Sequence, residues 1–578
     1  MDEQRSSSRG VSKGRRVLLA VWLLSAVAAG AQATAVAPSQ VTPLSLARGL
    51  SNPNAPPRLP APQPVAAPAG AKRLTFHLRR LIVENGFADL AAPTQALVKA
   101  VEGRAVTVAQ LYELAGAVEK AYAVTGYPLV RVVAPPQEIR DGGDARLLVI
   151  DGFIERLALD GVPERMRPAI AARAGRLVGR RHLNKAELER AVLIAGDVAG
   201  VKLRSALARG KAPGGTVLAL EADWRLVAAS LSTDNDLPRT LGGYAWDARL
   251  AINGALGWGE QAYLSYTSGY ALGEYGFPTS PLRTVGVGLA VPVGADGWTL
   301  NPEYTNSQTR PNPQAGVVPS IGYLNRVSLR SSLPLLRSVE EDFTLTGALE
   351  GVDQRMFAPG FGADLSHDRY AALRLGAGWR GVTFWGAPFQ ANGQMSQGLA
   401  GRRPGFDETP LSRQGATPHF SKLTGDVRLD QPLPAQLQLA LVGRAQWSPG
   451  RAQMTSEQFA LEGTDAVSAF VQGSFSVDAG ATLRAELSRP FAWPLGSVAA
   501  SVSPYLFAAQ GFGVLDNPTA QEKPSIHANA VGLGVRLLFN PAAEFESAGL
   551  NAELSRGTSN TPGLISIYRA LLTLSCLY

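Results

Sequence analysis

Cysteine is nearly absent from this chain. Cys576 is the only one in 578 residues, so no intramolecular disulfide can form. Histidine is scarce as well, and none of His77, His182, His367, His419 and His527 has the i, i+4 spacing with a carboxylate that a zinc protease site requires. No phosphate-binding loop is present either: Gly376 and Gly378 lie in a Gly-Ala-Gly run with no Lys-Ser/Thr after it. Neither a catalytic constellation nor a cofactor or metal site is therefore expected, and the chain does not read as an enzyme. The acidic run Glu340, Glu341 and Asp342 reads as a solvated loop, with a calcium cluster as the alternative. Charged residues make up only 18 % of the chain, yet after residue 31 no stretch approaches the ~20 consecutive apolar residues of a spanning helix. Low charge without apolar blocks suits strands that alternate lipid-facing and water-facing residues. The count of 61 glycines is also unusual for a soluble enzyme of this length.

What is present begins with a targeting signal. Arg5, Arg9, Lys13, Arg15 and Arg16 precede an apolar run from Val17 to Ala31, and Ala31-Gln32-Ala33 forms a small-residue cleavage site. Residues 1–33 read as a secretory signal peptide, so the mature chain is expected to be exported. Residues 34–72 are rich in Pro and Ala and read as an extended linker, within which Pro43 to Leu50 can form two helical turns, a possible short plug helix.

Residues 73–225 mix helix and strand periodicity. Leu74, Phe76 and Leu78 alternate as in a strand, and a helix is expected near Gln95–Val101. Thr107 and Gln110 form a capping box, Leu111, Leu114, Val118 and Tyr122 form an apolar helical stripe, and Gly126 sits at a helix C-cap position. Strands are expected near Leu129–Val133 and Ala145–Asp151. The order strand, helix, helix, strand, strand then repeats: Phe153–Leu159, Glu164–Ala174, a helix started by Asn184 and Glu187, Lys202–Ala208 and Thr216–Ala222. Two tandem α+β modules, 73–152 and 153–225, are expected. The second is basic, with Arg165, Arg176, Arg190 and Lys202 among its cations. The default reading is a solvated face, and the alternative is attraction to an acidic client or a membrane surface. Nucleic-acid binding is not expected of an exported chain without interleaved aromatics.

From residue 226 onward the helical periodicity disappears. Leu250 and Ile252, Val287 and Leu289, Leu483 and Leu487, and Leu533 and Val535 each lie on one face of an alternating run, and Gly, Pro, Asn and Asp clusters separate the runs. At roughly 20 residues per strand and loop, about sixteen strands are expected. The final run carries Tyr568, Leu574 and Tyr578 on one face and Arg569, Thr573 and Ser575 on the other. Its terminal aromatic suggests the closing strand of an all-β transmembrane barrel over 226–578.

Several stretches carry a resemblance: Tyr122-x-x-Thr-Gly-Tyr-Pro-Leu-Val-Arg, then Pro135-Pro136-Gln137, then Val149 to Ile154; Ser230 to Asp236 and Trp258 to Tyr266; and Ser456-Glu-Gln-Phe. In this order, over 73–578, they resemble the two-partner secretion transporters, the haemolysin secretion/activation proteins of the ShlB, FhaC and HecB type, within the superfamily of POTRA-barrel transporters. The resemblance implies two periplasmic POTRA modules and a 16-stranded barrel in the outer membrane that secretes a partner exoprotein. It implies client capture by the first module, around Leu111, Leu114, Val118, Tyr122, Tyr127 and Gln137. The lipid bilayer is a partner, as are the periplasmic chaperones and assembly machinery that insert the barrel itself. A barrel-assembly factor and a passive porin are the rival readings.

Two departures from the family pattern stand out. The sixth loop of the family carries Val-Arg-Gly-Phe or Val-Arg-Gly-Tyr, where this chain has Val467-Ser468-Ala469-Phe470. A facing strand carries Phe-x-Asp-x-Gly, where this chain has Phe507-Ala508-Ala509-Gln510-Gly511. The arginine and the aspartate that pair in the family are thus both missing, which leaves no unpaired charge at these two positions. The loop is still expected to enter the lumen, with Phe470 packed near Phe507 and Gly511 in place of the ion pair.

Overall fold

The computed structural model describes residues 36–43, 67–271, 280–314, 316–405, 408–493, 499–540 and 547–578. The expected signal peptide and residues 44–50 of the expected plug helix lie outside them.

In the first module the helix Val108–Val124 starts where its cap predicts. The Gln110 backbone N–H donates to Thr107 Oγ1 at 3.1 Å, and the Thr107 N–H donates to Gln110 Oε1 at 2.7 Å. Gly126, at φ +107°, adopts a left-handed conformation just past the helix end. The apolar face of the helix covers a sheet in which Arg80–Glu84 runs parallel to Asp144–Ile150, and Arg131–Val133 pairs antiparallel to the same central strand. One expectation needs correction. The strand predicted at Leu74–Leu78 is not part of this sheet. Thr75–Leu78 pairs instead with Arg104–Thr107, a strand between the helices Ala91–Lys99 and Val108–Val124 that sequence periodicity did not reveal. Four residues with one buried side chain, Val106, carry too little alternation to register as a strand.

The second module has the expected order. Phe153–Gly161 runs parallel to Gly215–Trp224, which pairs antiparallel with Val201–Arg209, and the helices Arg167–Ala174 and Lys185–Gly196 cover the sheet. Several of its basic residues are engaged on the barrel. Arg337, at the end of a barrel strand, binds Asp197 of this module through Nε and Nη2 at 3.0 and 2.7 Å, and its Nη1 holds Asp342 at 2.8 Å. Arg190 donates to the backbone oxygens of Leu335 and Asp296, and Arg176 pairs with Asp296. The acidic run at 340–342 is thus a barrel turn whose Asp342 is held by Arg337 and Arg380 and whose Glu341 accepts from Trp379 Nε1. Between the modules, the His182 ring stacks on Phe87 at 4.0 Å.

The remainder closes into one antiparallel barrel of sixteen strands, as expected. It begins with Val227–Asp234 and ends with Ser566–Leu577, and Phe491–Ala492 continues the strand Ala479–Ser488 past a break. The predicted apolar faces point outward: Leu250, Ile252, Val287, Leu289, Leu483, Leu533 and Tyr568 are all exposed, as a lipid-facing surface requires. Closure rests on a short ladder, Ser230–Asp234 against Thr573–Leu577. Above it, the Asn235 side chain accepts from the Leu572 N–H and donates to the Ala570 carbonyl, both at 2.8 Å, and the chain turns into the lumen.

Candidate functional site: a plugged lumen

Among the described residues, two chain segments occupy the barrel interior. The first is a single helical turn, Pro38–Val41, with its flanks. Thr42 Oγ1 donates to Ser307 Oγ at 2.8 Å, Thr309 Oγ1 donates to the Val36 carbonyl at 3.1 Å, and Arg326 Nη2 donates to the Pro43 carbonyl at 2.5 Å. Val36 and Val41 pack against Leu237, Leu241 and Leu282. A helical turn therefore does sit in the lumen, while the Pro43–Leu50 segment in which one was expected lies, after Pro43, outside the described residues.

The second segment is the long loop from Ser448 to Asp478, which folds inward between the strands Gln438–Trp447 and Ala479–Ser488. Its tip is buried. Phe470 stacks edge-on against Phe475, with ring centres 4.7 Å apart, in an apolar cluster with Val467, Leu461, Phe507 and Ala528. Glycines on the wall make room for this packing. A Cβ on Gly511 would meet Val467 at 3.1 Å, and one on Gly557 would meet Ala469 at 2.8 Å and Phe470 at 2.9 Å. Phe470 thus lies over Gly557, and it is Val467 that covers Gly511.

The expectation that packing alone replaces the missing ion pair is corrected by the wall itself. Arg484, the ladder partner of Ala509, points inward and is 2 % exposed. Its Nη2 meets Glu553 Oε2 at 2.8 Å, its Nη1 donates to Ser468 Oγ at 2.8 Å, and its guanidinium lies 3.7 Å over the Phe507 ring. Ser468 Oγ in turn donates to Glu553 Oε1. Both charges come from the barrel, and the loop contributes a neutral hydroxyl between them. Arg569 of the last strand adds a second hold: Nη1 donates to the Ser468 and Phe470 carbonyls at 2.8 and 2.7 Å, and Nη2 pairs with Asp236 at 2.7 Å.

The base of the loop is pinned to other strands. Glu457 Oε1 accepts from Tyr370 at 2.6 Å and from Arg374 Nη2 at 2.7 Å, and Oε2 lies 2.8 Å from Lys422 Nζ. Burial alone would push this carboxyl up, but Lys422 and Arg374 outweigh it and hold the group well below the usual carboxylate range. Among the described residues no such cation is paired with Glu462. Burial pushes its carboxyl up to about 7, against the N–H groups of Gly473 and Phe475 that donate to it and with Asp236 adding to the push. A raised value means that the seated loop binds this proton more readily than a released loop. Its contribution to seating is present in full below the ordinary carboxylate value and is lost as pH rises through about 7. The low value of Glu457 places its own loss far into acid, outside this window. Proteolysis of the loop is therefore expected to increase from about pH 5 to about pH 7 and to level off above it, and Glu462→Gln should flatten that dependence.

The predicted capture residues divide into two groups. Leu111, Leu114, Val118 and Tyr122 are buried in the core of the first module, so they can support capture only by holding its fold. Tyr127 and Gln137 are nearer the surface. Tyr127 donates to Asp89 at 3.0 Å, and Gln137 bonds both the N–H and the carbonyl of Arg146 at 2.8 Å. At the closing strand, Tyr568 and Tyr578 are exposed, and Arg225 lies 4.9 Å over the Tyr578 ring. Arg484, Glu553, Glu457, Arg374 and Lys422 were not anticipated as anchors. For the four on strands, Arg374, Lys422, Arg484 and Glu553, the available signal was charge on the lumen-facing side of a strand whose other face is apolar.

Comparison with known proteins gives a consistent picture. Residues 214–537, more than half of the chain, match the family described as haemolysin secretion/activation protein ShlB/FhaC/HecB, and residues 76–152 match the ShlB-type POTRA domain. The heme/hemopexin transporter protein HuxB of Haemophilus influenzae strain 86-028NP is 26 % identical over 174 residues, 30 % of this chain and 31 % of HuxB, so the match spans about a third of that relative. Among solved structures, CdiB from Escherichia coli superposes with a TM-score of 0.66 at 19 % identity, covering 100 % of both chains. CdiB from Acinetobacter baumannii gives 0.58 at 16 % identity, covering 98 % of this chain and 97 % of the other.

Proposed function

The chain belongs to the ShlB/FhaC/HecB family of haemolysin secretion/activation proteins, and from that premise we propose that it is a two-partner secretion transporter, which moves one exoprotein from the periplasm to the cell surface. The barrel lies in the outer membrane, with the modules on its periplasmic side. The observation that carries the reading is the content of the lumen. A helical turn and a long loop fill it through hydrogen bonds and ion pairs to the wall, contacts that can be exchanged for water when the segments move. A passive porin has no use for such a plug or for two modules beside its mouth. The modules capture the unfolded client, by addition of its backbone to a sheet edge. No nucleotide is available in the periplasm, so folding of the client outside drives export. Periplasmic chaperones and the barrel-assembly machinery insert the barrel itself.

The test is export. The chain is co-expressed with the product of a neighbouring gene encoding a large, secreted β-helical protein, and the culture medium is assayed for that product. Export that depends on the transporter is expected. Equal amounts in the medium with and without it would overturn the reading, and a general defect in outer-membrane protein levels on its deletion would favour a barrel-assembly factor.

A further inference from the structure

The outer wall of the barrel changes its chemistry within one sector. In the strands Ile321–Arg337, Asp342–Ala358 and Ala363–Val382 the outward positions lie in register across the ladder. Leu329, Leu349 and Leu373 form one row, and Val327, Gly351 and Ala371 the next, an apolar surface facing lipid. The two rows after that are polar: Asn325, Asp353 and Arg369, then Tyr323, Arg355 and His367. Their height follows from the strand direction. Arg337 and Asp342 flank the turn tied to Asp197 of the second module, which marks the periplasmic end. From Asp342 to Asp353 the strand climbs roughly 27 Å along the membrane normal, at ~3.3 Å per residue and a tilt of ~40°. The apolar band of such a barrel is about 25 Å tall. The polar rows therefore stand at its outer edge, beside the headgroups of the outer leaflet.

The polar rows are cationic and largely unengaged. His367 Nε2 makes the close contact to Asp353, at 3.1 Å, while the Nε atoms of Arg355 and Arg369 remain 4.0 Å from that carboxylate. Among the described residues no hydrogen bond engages either guanidinium. Arg283 continues the upper row, since it lies opposite Gln308, which lies opposite Tyr323. With Arg310 just beyond, four exposed arginines share this sector with the carboxylates Asp353 and Asp364. Tyr304 Oη and Asn306 Nδ2 both donate to Asn325 Oδ1, at 2.9 and 2.8 Å, which leaves the Asn325 amide N–H groups without a partner among the described residues. The rim is not cationic all round. On the strands Ser421–Pro432 and Gln438–Trp447 the exposed pair near the same end is Leu423 and Trp447.

We propose that this sector binds a phosphorylated, multiply acylated glycolipid of the outer leaflet, with Arg355 and Arg369 on its phosphates and its acyl chains on the apolar rows beneath. The order of chemistry up the wall matches the order along such a lipid. Leucines meet the acyl chains, and a Cβ on Gly351 would find no atom within 4 Å, so the wall is shallow there and a chain can lie close. Guanidiniums meet phosphate oxygens through paired N–H donors, a geometry that lysine lacks. Asn325, Tyr323 and Gln308 supply the amides and hydroxyl that sugar hydroxyls can bond. Arginines spread over several strands suit a headgroup with two separated phosphates, whereas a lipid with one phosphodiester leaves part of the patch unmatched. The proposal rests on the placement of the barrel in the outer membrane and does not depend on export.

The experiment titrates the full-length protein in detergent with bis-phosphorylated lipid A and reads bound lipid by native mass spectrometry, with EDTA present so that no divalent cation bridges the phosphates. The wild-type protein should retain lipid A. Arg355→Gln combined with Arg369→Gln should weaken retention about tenfold or more, as expected for the loss of two charge-assisted contacts. Arg556→Gln should leave retention unchanged, because this exposed arginine lies on a distant strand, over the Tyr568 ring. Lipid A stripped of both phosphates should bind the wild-type protein as weakly as intact lipid A binds the double variant. Phosphatidylglycerol should bind more weakly than lipid A, and millimolar inorganic phosphate should not displace lipid A. Undiminished retention by the double variant, or of the dephosphorylated lipid, would show that acyl chains alone hold it and would overturn the proposal. Phosphatidylglycerol bound as tightly as lipid A would reduce the patch to a general attraction for anionic lipid, and displacement by phosphate would make it a free-anion site. Either result overturns the glycolipid. Heat-modifiable mobility reports folding. If the double variant fails to fold, Arg355→Gln and Arg369→Gln taken singly carry the test, each with about a threefold loss.

Discussion

Arg484→Ala is expected to destabilise the plugged barrel by about 3–5 kcal/mol, the usual cost of removing one member of a buried ion pair. The size follows from what the substitution leaves behind. Glu553 keeps the hydrogen bond from Tyr505 at 3.0 Å but loses its only cation within reach among the described residues. Ser468 loses a donor, and the Phe507 ring loses the guanidinium above it. The measurement is the urea or temperature midpoint of the heat-modifiable gel shift. Two further variants sharpen it. Ser468→Ala should cost only about 1 kcal/mol, the net worth of a neutral hydrogen-bonding group. Arg484→Met combined with Glu553→Gln should recover most of the loss, because the buried charge is then gone from both sides. If the double variant is as unstable as the sum of the singles, the pair does not couple and the loop tip is held by packing alone. Ser468→Arg is expected to be harmful for a reason the sequence did not reveal: it drives a second guanidinium against Arg484. Ala509→Asp should relieve this, since position 509 lies directly across the ladder from Arg484.

Leu114→Asp is expected to unfold the first module and abolish export while leaving the barrel intact. Leu114 lies in the helix Val108–Val124, within the cluster that includes Val118, Leu147 and Val132. Replacing it forfeits roughly 1.5–3 kcal/mol of apolar burial and places a carboxylate where no described cation faces it, at several kcal/mol more. A small domain has a total stability of about 5–15 kcal/mol, so the sum is a large fraction of the whole. Protease digestion of the purified variant should degrade residues 73–152, and the barrel should keep its heat-modifiable mobility. Export that continues at the wild-type level with the module digested would sink the capture hypothesis.

Much of this architecture was legible in the chain because its signals are local. A capping box needs two residues three apart, and both Thr107–Gln110 and Asn184–Glu187 formed as read. A strand facing lipid on one side and water on the other alternates with a period of two, so the outward faces at Leu483, Leu533 and Tyr568 could be assigned residue by residue. The short strand Arg104–Thr107 escaped because its pattern is only four residues long and its partner lies almost thirty positions upstream. Arg176 and Arg190 of the second module showed their charge but not its use, since the carboxylate and carbonyls they bind belong to barrel residues more than a hundred positions away.

The sequence by itself determined the α+β character of the region before the barrel, the barrel and the inward or outward direction of its side chains. Each of these follows from composition or periodicity within a dozen residues. Only the tertiary structure decided how the plug is held. Ser468 and Ala509 stand where the resemblance implies an arginine and an aspartate, and the sequence could register only that neither charge is present. That Arg484 and Glu553 supply a replacement pair depends on barrel curvature bringing strands sixty-nine residues apart within 2.8 Å across the lumen wall. The same closure sets Arg374 and Lys422 around Glu457. A charge on an inward face can be read from alternation, but its partner is chosen by register and shear, which are properties of the closed sheet and not of any one strand.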